Sequence, residues 1–146
     1  YKLRFNIEGE YYSFLLITII CILTDIGGYI FGKILKGPKL TKYSPNKTYS
    51  GVIGSYLLSI TSVPMIITLG IVSEKNTSIL IMFVFLVSSV SQLGDICISY
   101  FKRISKIKDT GKIIPGHGGL LDRIDGMIFA YPFSYIIMLT SFFKII

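Results

Sequence analysis

The sequence holds a single histidine, His117, and two cysteines, Cys21 and Cys97. No zinc-type spacing, Ser-His-Asp arrangement or Walker-type phosphate loop can be read from it. Both cysteines fall inside apolar runs, where they read as small buried hydrophobes rather than a disulfide pair or metal ligands, so redox chemistry is not expected. Acidic residues are also few: eight Asp and Glu stand against fifteen Lys and Arg in 146 residues, a net charge of +7. Internal repeats, low-complexity tracts and domain linkers are lacking, which predicts one domain over residues 1–146. No positively charged leader precedes the first apolar run and the first residue is Tyr1. The reading is therefore a chain without a signal peptide, part of a longer protein whose missing portion lies upstream.

What is abundant is apolar sequence. Hydrophobic residues make up 51% of the chain, and the mean hydropathy of +0.66 is too high for a water-soluble domain of this size. Four stretches come near the roughly 20 residues that a membrane span needs: Tyr11 to Phe31, Gly51 to Val72, Thr77 to Phe101 and Gly126 to Ile146. They lack the alternation of barrel strands, so the expected fold is all-α, a polytopic membrane bundle of four helices. Pro64 and Pro132 should bend the second and fourth spans without ending them. The loop after span one carries Lys33, Lys36, Lys39, Lys42 and Lys47, and the loop after span three carries Lys102, Arg103, Lys106, Lys108, Lys112 and Arg123. Together they hold eleven of the fifteen basic residues. Four spans put both loops on one side, and the positive-inside bias makes that side cytoplasmic. The short connection Ser73 to Asn76 then lies outside. Basic residues confined beside spans serve topology and anionic headgroups, so a nucleic-acid partner is not expected.

Four carboxylates stand where plain spans would not have them. Asp25 and Asp95 lie inside spans, and an ionisable residue there is a functional-site hypothesis by default. Ser88, Gln92, Asp95 and Ser99 recur along one face of a helix, with Asp95 about 10 Å below the interfacial Lys102 and Arg103, given roughly 1.5 Å of rise per residue. That face reads either as the wall of a polar cavity or, for the serines and Gln92, as hydrogen-bonding glue between helices. Gly28 and Gly32 form a small-residue pair suited to close helix approach, and a homodimer through this face is one use of it. Asp25 on the same face needs a basic residue or a metal ion to balance it. Asp122 and Asp125 project from one side of a first helical turn, a place where acidic residues are common because of the macrodipole. With Asp95 they make three hard oxygen ligands among many cations, which suits Mg²⁺ held together with substrate phosphates. The glycine-rich segment around His117, Gly118 and Gly119 would let backbone N–H groups approach a phosphate. His117 reads equally as a proton donor to phosphate or as loop structure.

From Ser99 to Asp125 the chain reads SYFKRISKIKDTGKIIPGHGGLLDRID, which closely resembles the signature of the phosphatidate cytidylyltransferases, also called CDP-diacylglycerol synthases. TDIGGYIFGK from Thr24, SPNKT from Ser44 with Gly51 and Gly54, and SQLGD ending at Asp95 look like further blocks of that family in the same order. The resemblance covers Thr24 to Pro132. It departs where Asn46, Tyr49 and Ser50 stand in place of the family's usual basic residue, Trp and Glu.

The resemblance implies an integral, multi-pass enzyme of a bacterial cytoplasmic membrane with its site facing the cytoplasm. Its substrates would be CTP and phosphatidic acid, and its products CDP-diacylglycerol and pyrophosphate. It assigns Asp95, Asp122 and Asp125 as metal ligands for Mg²⁺, with room for a second cation. Lys102, Arg103, Lys108, Asp109, His117 and Arg123 join them as catalytic candidates. Ser44, Lys47, Thr48, Lys112, Gly118, Gly119 and Asp25 are candidates for substrate binding. Rival readings are a CTP-dependent lipid kinase, a CDP-alcohol phosphatidyltransferase, whose further motif positions are absent, and a transporter with Asp25 and Asp95 as ion sites.

Overall fold

The computed structural model describes residues 9–41, 44, 47–69, 77–107 and 121–139, with only the backbone of 9, 10 and 121–123. Five helices follow one another: α1 (Gly9–Leu35), α2 (Tyr49–Ile60), α3 (Ser62–Thr68), α4 (Thr77–Ile104) and α5 (Leu121–Leu139). Three segments are long and apolar enough to cross a membrane: Tyr11–Leu35, Tyr49–Thr68, which joins α2 to α3, and Thr77–Ile104. The expected all-α membrane bundle is therefore present with three such helices. The fourth apolar helix, Ile124–Leu139, is shorter than a full span among the described residues. The expected connection Ser73 to Asn76 lies outside them, as does the end of the fourth span beyond Leu139.

The boundaries have local causes. α1 runs past Phe31 because nothing breaks it before Lys36, whose positive φ of 44° turns the chain into Gly37 and Pro38. Thr48 caps α2 by accepting the Gly51 N–H at 3.1 Å, which starts that helix two residues ahead of the expected span. Pro64 has no N–H for the Ile60 carbonyl, and the second span is interrupted nearby, at Thr61 between α2 and α3. Pro132 lies within α5, which continues through it. α4 ends in a paired 6→1 and 5→2 cap, with the Ile107 N–H on the Lys102 carbonyl (3.0 Å) and the Lys106 N–H on the Arg103 carbonyl (3.1 Å). Lys106 takes the left-handed position with φ 57°, the place usually held by glycine.

The apolar core occupies one half of the bundle. Leu16, Ile17, Ile20 and Cys21 of α1 meet Val63 and Ile66 of α3, Leu80, Phe83, Val84 and Val87 of α4, and Ala130 of α5. Cys21 is thus the buried hydrophobe expected, whereas Cys97 is exposed. Two tyrosines near the core bond and stack across helices. Tyr131 of α5 meets Thr18 Oγ1 at 2.6 Å and stacks on Phe14, while Tyr56 of α2 meets Ser89 Oγ at 3.0 Å and stacks on Phe85. These contacts join helices where apolar packing alone has little drive in lipid.

α1 and α2 approach most closely through glycine. A Cβ on Gly27 would lie 2.5 Å from the Gly54 carbonyl oxygen, and one on Gly28 would lie 2.8 Å from Ser55 Oγ. Ser55 in turn donates to the Thr24 carbonyl at 2.8 Å. Gly28 and Gly32 therefore face α2 of the same chain.

Candidate functional site

Away from the core, the same helices part around a cavity of about 660 Å³. α1 contributes Thr24, Asp25, Ile26, Gly28, Tyr29 and Ile30 to its wall, α2 contributes Gly51, Val52 and Ser55, α4 contributes Gln92 and Asp95, α5 contributes Asp125, and Lys47 and Thr48 enter from the loop before α2. Helix direction explains this composition. α1 passes from Leu16 in the core to Asp25 in the cavity, and α4 passes likewise from Val87 to Asp95, so one end of the bundle is filled with hydrocarbon and the other holds the charges.

The loop between α1 and α2 folds back on itself. The Leu40 N–H donates to the Lys47 carbonyl at 2.8 Å, the Tyr49 N–H to the Pro38 carbonyl at 3.1 Å and the Lys47 N–H to the Ser44 carbonyl at 3.1 Å. Ser50 adds a clamp: its Oγ accepts the Gly37 N–H at 3.3 Å and lies 3.0 Å from Thr48 Oγ1. This frame aims Lys47 across the cavity onto α4, where its ammonium pairs with Asp95 Oδ2 and lies 3.5 Å from the Gln92 carbonyl. On the other flank Lys102 Nζ stands 3.7 Å from Asp125 Oδ2, and the Gly126 N–H donates to Asp125 Oδ1 at 3.0 Å.

Asp95 and Asp125 are also near enough to share a side-chain hydrogen bond, and Asp25 feels the charges of both Asp95 and Lys47. The result is a row, Lys47–Asp95–Asp125–Lys102, with Asp25 beside it. Three carboxylates face two ammonium groups, leaving a net negative charge that a cation would neutralise. A proton or a cation between Asp95 and Asp125 would relieve the repulsion that Lys47 and Lys102 leave. Two carboxylate donors of this kind fit Mg²⁺, which takes one or two carboxylates and completes its shell from water and phosphate. Among the described residues no group of three or more His, Cys, Asp or Glu forms a metal cage by itself.

Several expected site residues thus converge: Asp25, Asp95, Asp125, Lys47, Thr48 and Lys102. Ser44 acts through its backbone, bonding Thr41 Oγ1 through its N–H at 3.1 Å, and Arg103 is exposed one residue beyond Lys102. Thr48 lines the cavity, although its hydroxyl is already engaged in capping α2. Lys108, Asp109, Lys112, His117, Gly118 and Gly119, and the side chains of Asp122 and Arg123, lie outside the described residues.

The polar stripe on α4 divides. Gln92 and Asp95 face the cavity, but Ser88 is fully buried as glue. Its Oγ lies 3.0 Å from Thr24 Oγ1 and accepts from Gln92 Nε2 at 3.4 Å. Ser99 is not among the lining residues. Missing from the sequence reading were the apolar wall residues Ile26, Tyr29, Ile30 and Val52. The signal was present, because 26, 29 and 30 follow helical spacing beside Asp25.

Comparison with known proteins agrees with this arrangement. Residues 2–141 match the model of the cytidylyltransferase family. A phosphatidate cytidylyltransferase of Staphylococcus epidermidis is 41% identical over 124 residues, 84% of this chain and 47% of that protein. The Staphylococcus aureus enzyme of the same name is 41% identical over 135 residues, covering 92% and 51%, so the chain spans about half the length of the curated relatives it matches. A solved structure described as an intramembrane enzyme for archaeal membrane lipid biosynthesis shares the fold, with a TM-score of 0.57 at 16% identity over 82% of this chain and 77% of that one. With nearly its whole length inside the family match, and Asp25, Asp95 and Asp125 on one cavity, the chain belongs to the cytidylyltransferase family.

Proposed function

We propose that this chain is the single catalytic membrane domain of a phosphatidate cytidylyltransferase, transferring CMP from CTP to phosphatidic acid. The observation that carries the reading is the row Lys47–Asp95–Asp125–Lys102 at a cavity that Ile26, Ile30 and Val52 also line. An anionic headgroup and a triphosphate need the first, and an acyl-bearing glycerol needs the second.

A phosphate oxygen of the lipid attacks the α-phosphorus of CTP. One P–O bond forms, the α–β bridging P–O bond breaks, and pyrophosphate leaves. The nucleophile is already anionic, so no strong base is required, and positioning with charge compensation carries the rate. Asp95 and Asp125, with Asp122 as a third ligand, would hold Mg²⁺ and leave room for a second cation, and the metal would supply charge neutralisation to the transferring and departing phosphates.

Lys47 and Lys102 flank the carboxylates and take phosphate oxygens from opposite sides. Arg103, Lys108, Lys112 and Arg123 are the further cationic candidates for phosphate contacts, and Asp109, His117, Gly118 and Gly119 the remaining candidates for the nucleotide. Ser44 and Thr48 shape the facing loop, and Asp25 lines the cavity beside the lipid's path. Both loops lie on the cytoplasmic face of a bacterial inner membrane, so CTP arrives from the basic side and phosphatidate enters between helices.

The test uses the complete protein in lipid micelles with phosphatidate, Mg²⁺ and CTP labelled at the α- or the γ-phosphate. The α label should enter the lipid fraction with release of pyrophosphate. Entry of the γ label would instead make the protein a lipid kinase, and ion flux with neither label moving would make it a transporter.

A further inference from the structure

Asp95 is an acidic residue already neutralised from within the chain. Its partner, Lys47, stands at the end of a loop framed by the Leu40–Lys47 and Tyr49–Pro38 backbone bonds and by the Ser50 clamp. The Lys47 and Asp95 side chains are each 25% exposed, so the pair borders the cavity instead of being sealed beneath it. The ammonium stands beside a carboxylate that also contacts Asp125, the donor set that suits a divalent ion. A divalent ion drawn to Asp95 Oδ2 competes there with the like-charged ammonium of Lys47.

We propose that Lys47 is a tethered counter-ion that holds the metal position of Asp95 and is displaced from it by the divalent cation. This rests on the reading of Asp95 and Asp125 as metal-facing. Lys47 joins α4 at two acceptors, Asp95 Oδ2 and the Gln92 carbonyl, and loss of the first leaves a long, flexible ammonium-bearing side chain held only by the second. The cation's arrival therefore turns Lys47 from a partner of Asp95 into a free donor for an incoming phosphate. Metal loading and the readiness of the α1–α2 loop to take anionic substrate become one event. Three groups set the exchange: Asp25, which feels both Asp95 and Lys47, Asp125, and Lys102, which keeps Asp125 paired on the far side.

The experiment uses the full chain in detergent micelles without nucleotide or phosphatidate. Free Mn²⁺ is titrated by electron paramagnetic resonance against wild type, Lys47→Gln and Lys47→Arg. Removing the competing ammonium should tighten Mn²⁺ binding about fivefold in Lys47→Gln, the scale of a partly exposed ion pair, while Lys47→Arg stays near wild type. In parallel, amine acetylation of wild type is read by mass spectrometry with and without Mg²⁺. Modification of Lys47 should rise several-fold with Mg²⁺ while exposed Lys36 stays constant, a readout that needs no variant to fold. Equal Mn²⁺ affinity in a folded Lys47→Gln, or Lys47 acetylation indifferent to Mg²⁺, would overturn the displacement alone. Absence of Mn²⁺ binding in wild type would overturn the metal reading of Asp95 and Asp125 together with it.

Discussion

Replacing Asp95 with Asn separates chemistry from folding, because the two side chains have nearly the same shape and differ in charge. The stability side is small. The Lys47–Asp95 pair is 25% exposed on each partner, so solvent screening holds its contribution to about 1 kcal/mol or less. The amide oxygen of Asn still accepts from Lys47, and removing the Asp95 charge relieves its contact with Asp125. These effects oppose one another, and unfolding free energy should change by no more than about 1 kcal/mol. The catalytic side should be large, since one of the two carboxylates proposed to hold the cation is lost, and removing a single preorganised electrostatic group commonly costs about 10²-fold to 10³-fold in turnover. The assay is transfer of α-labelled CTP into the lipid fraction at saturating Mg²⁺, run beside a thermal melt of the same preparation. Turnover within threefold of wild type would refute the assignment of Asp95. A collapse of the melt large enough to explain the lost turnover would refute the separation of roles.

Three further outcomes follow from the packing. Gly54→Ala puts a Cβ against Phe31 Cβ, and overpacking at this α1–α2 contact should cost about 1–3 kcal/mol; a melting temperature equal to wild type would show that the helices are farther apart. Ser50→Ala removes the clamp on Gly37 and Thr48, so KM for CTP should rise about fivefold with kcat nearly unchanged, the scale of one hydrogen bond. An equal fall in kcat would place Ser50 in the chemistry itself. Lys106→Gly relieves the positive φ at the end of α4 and should stabilise by about 1 kcal/mol; destabilisation in a thermal melt would argue that the Lys106 side chain makes contacts of its own.

The readable features were those encoded by period and length. Apolar runs near span length located α1, the α2–α3 pair and α4 to within a few residues, because a helix in hydrocarbon must satisfy its own backbone and breakers are rare inside it. Gly28 and Gly32 announced a close approach, but spacing along one helix does not name the partner, which proved to be α2 within the chain. Asp25 and Asp95 stood out because charge is costly at that depth, and the structure places them on one cavity.

What neutralises Asp95 was hidden because its partner, Lys47, lies 48 positions away in a loop whose course depends on backbone bonds from Leu40 and Tyr49 and on the Ser50 hydroxyl. The family departure at Ser50 is informative for the same reason. A short hydroxyl reaches the Gly37 N–H and Thr48 at once, so the loop in this chain is held by neutral hydrogen bonds and brings no further carboxylate to the Lys47–Asp95 pair. With Ser at position 50, the balance at Lys47 is left to Asp95, Asp25 and whatever cation or phosphate enters the cavity.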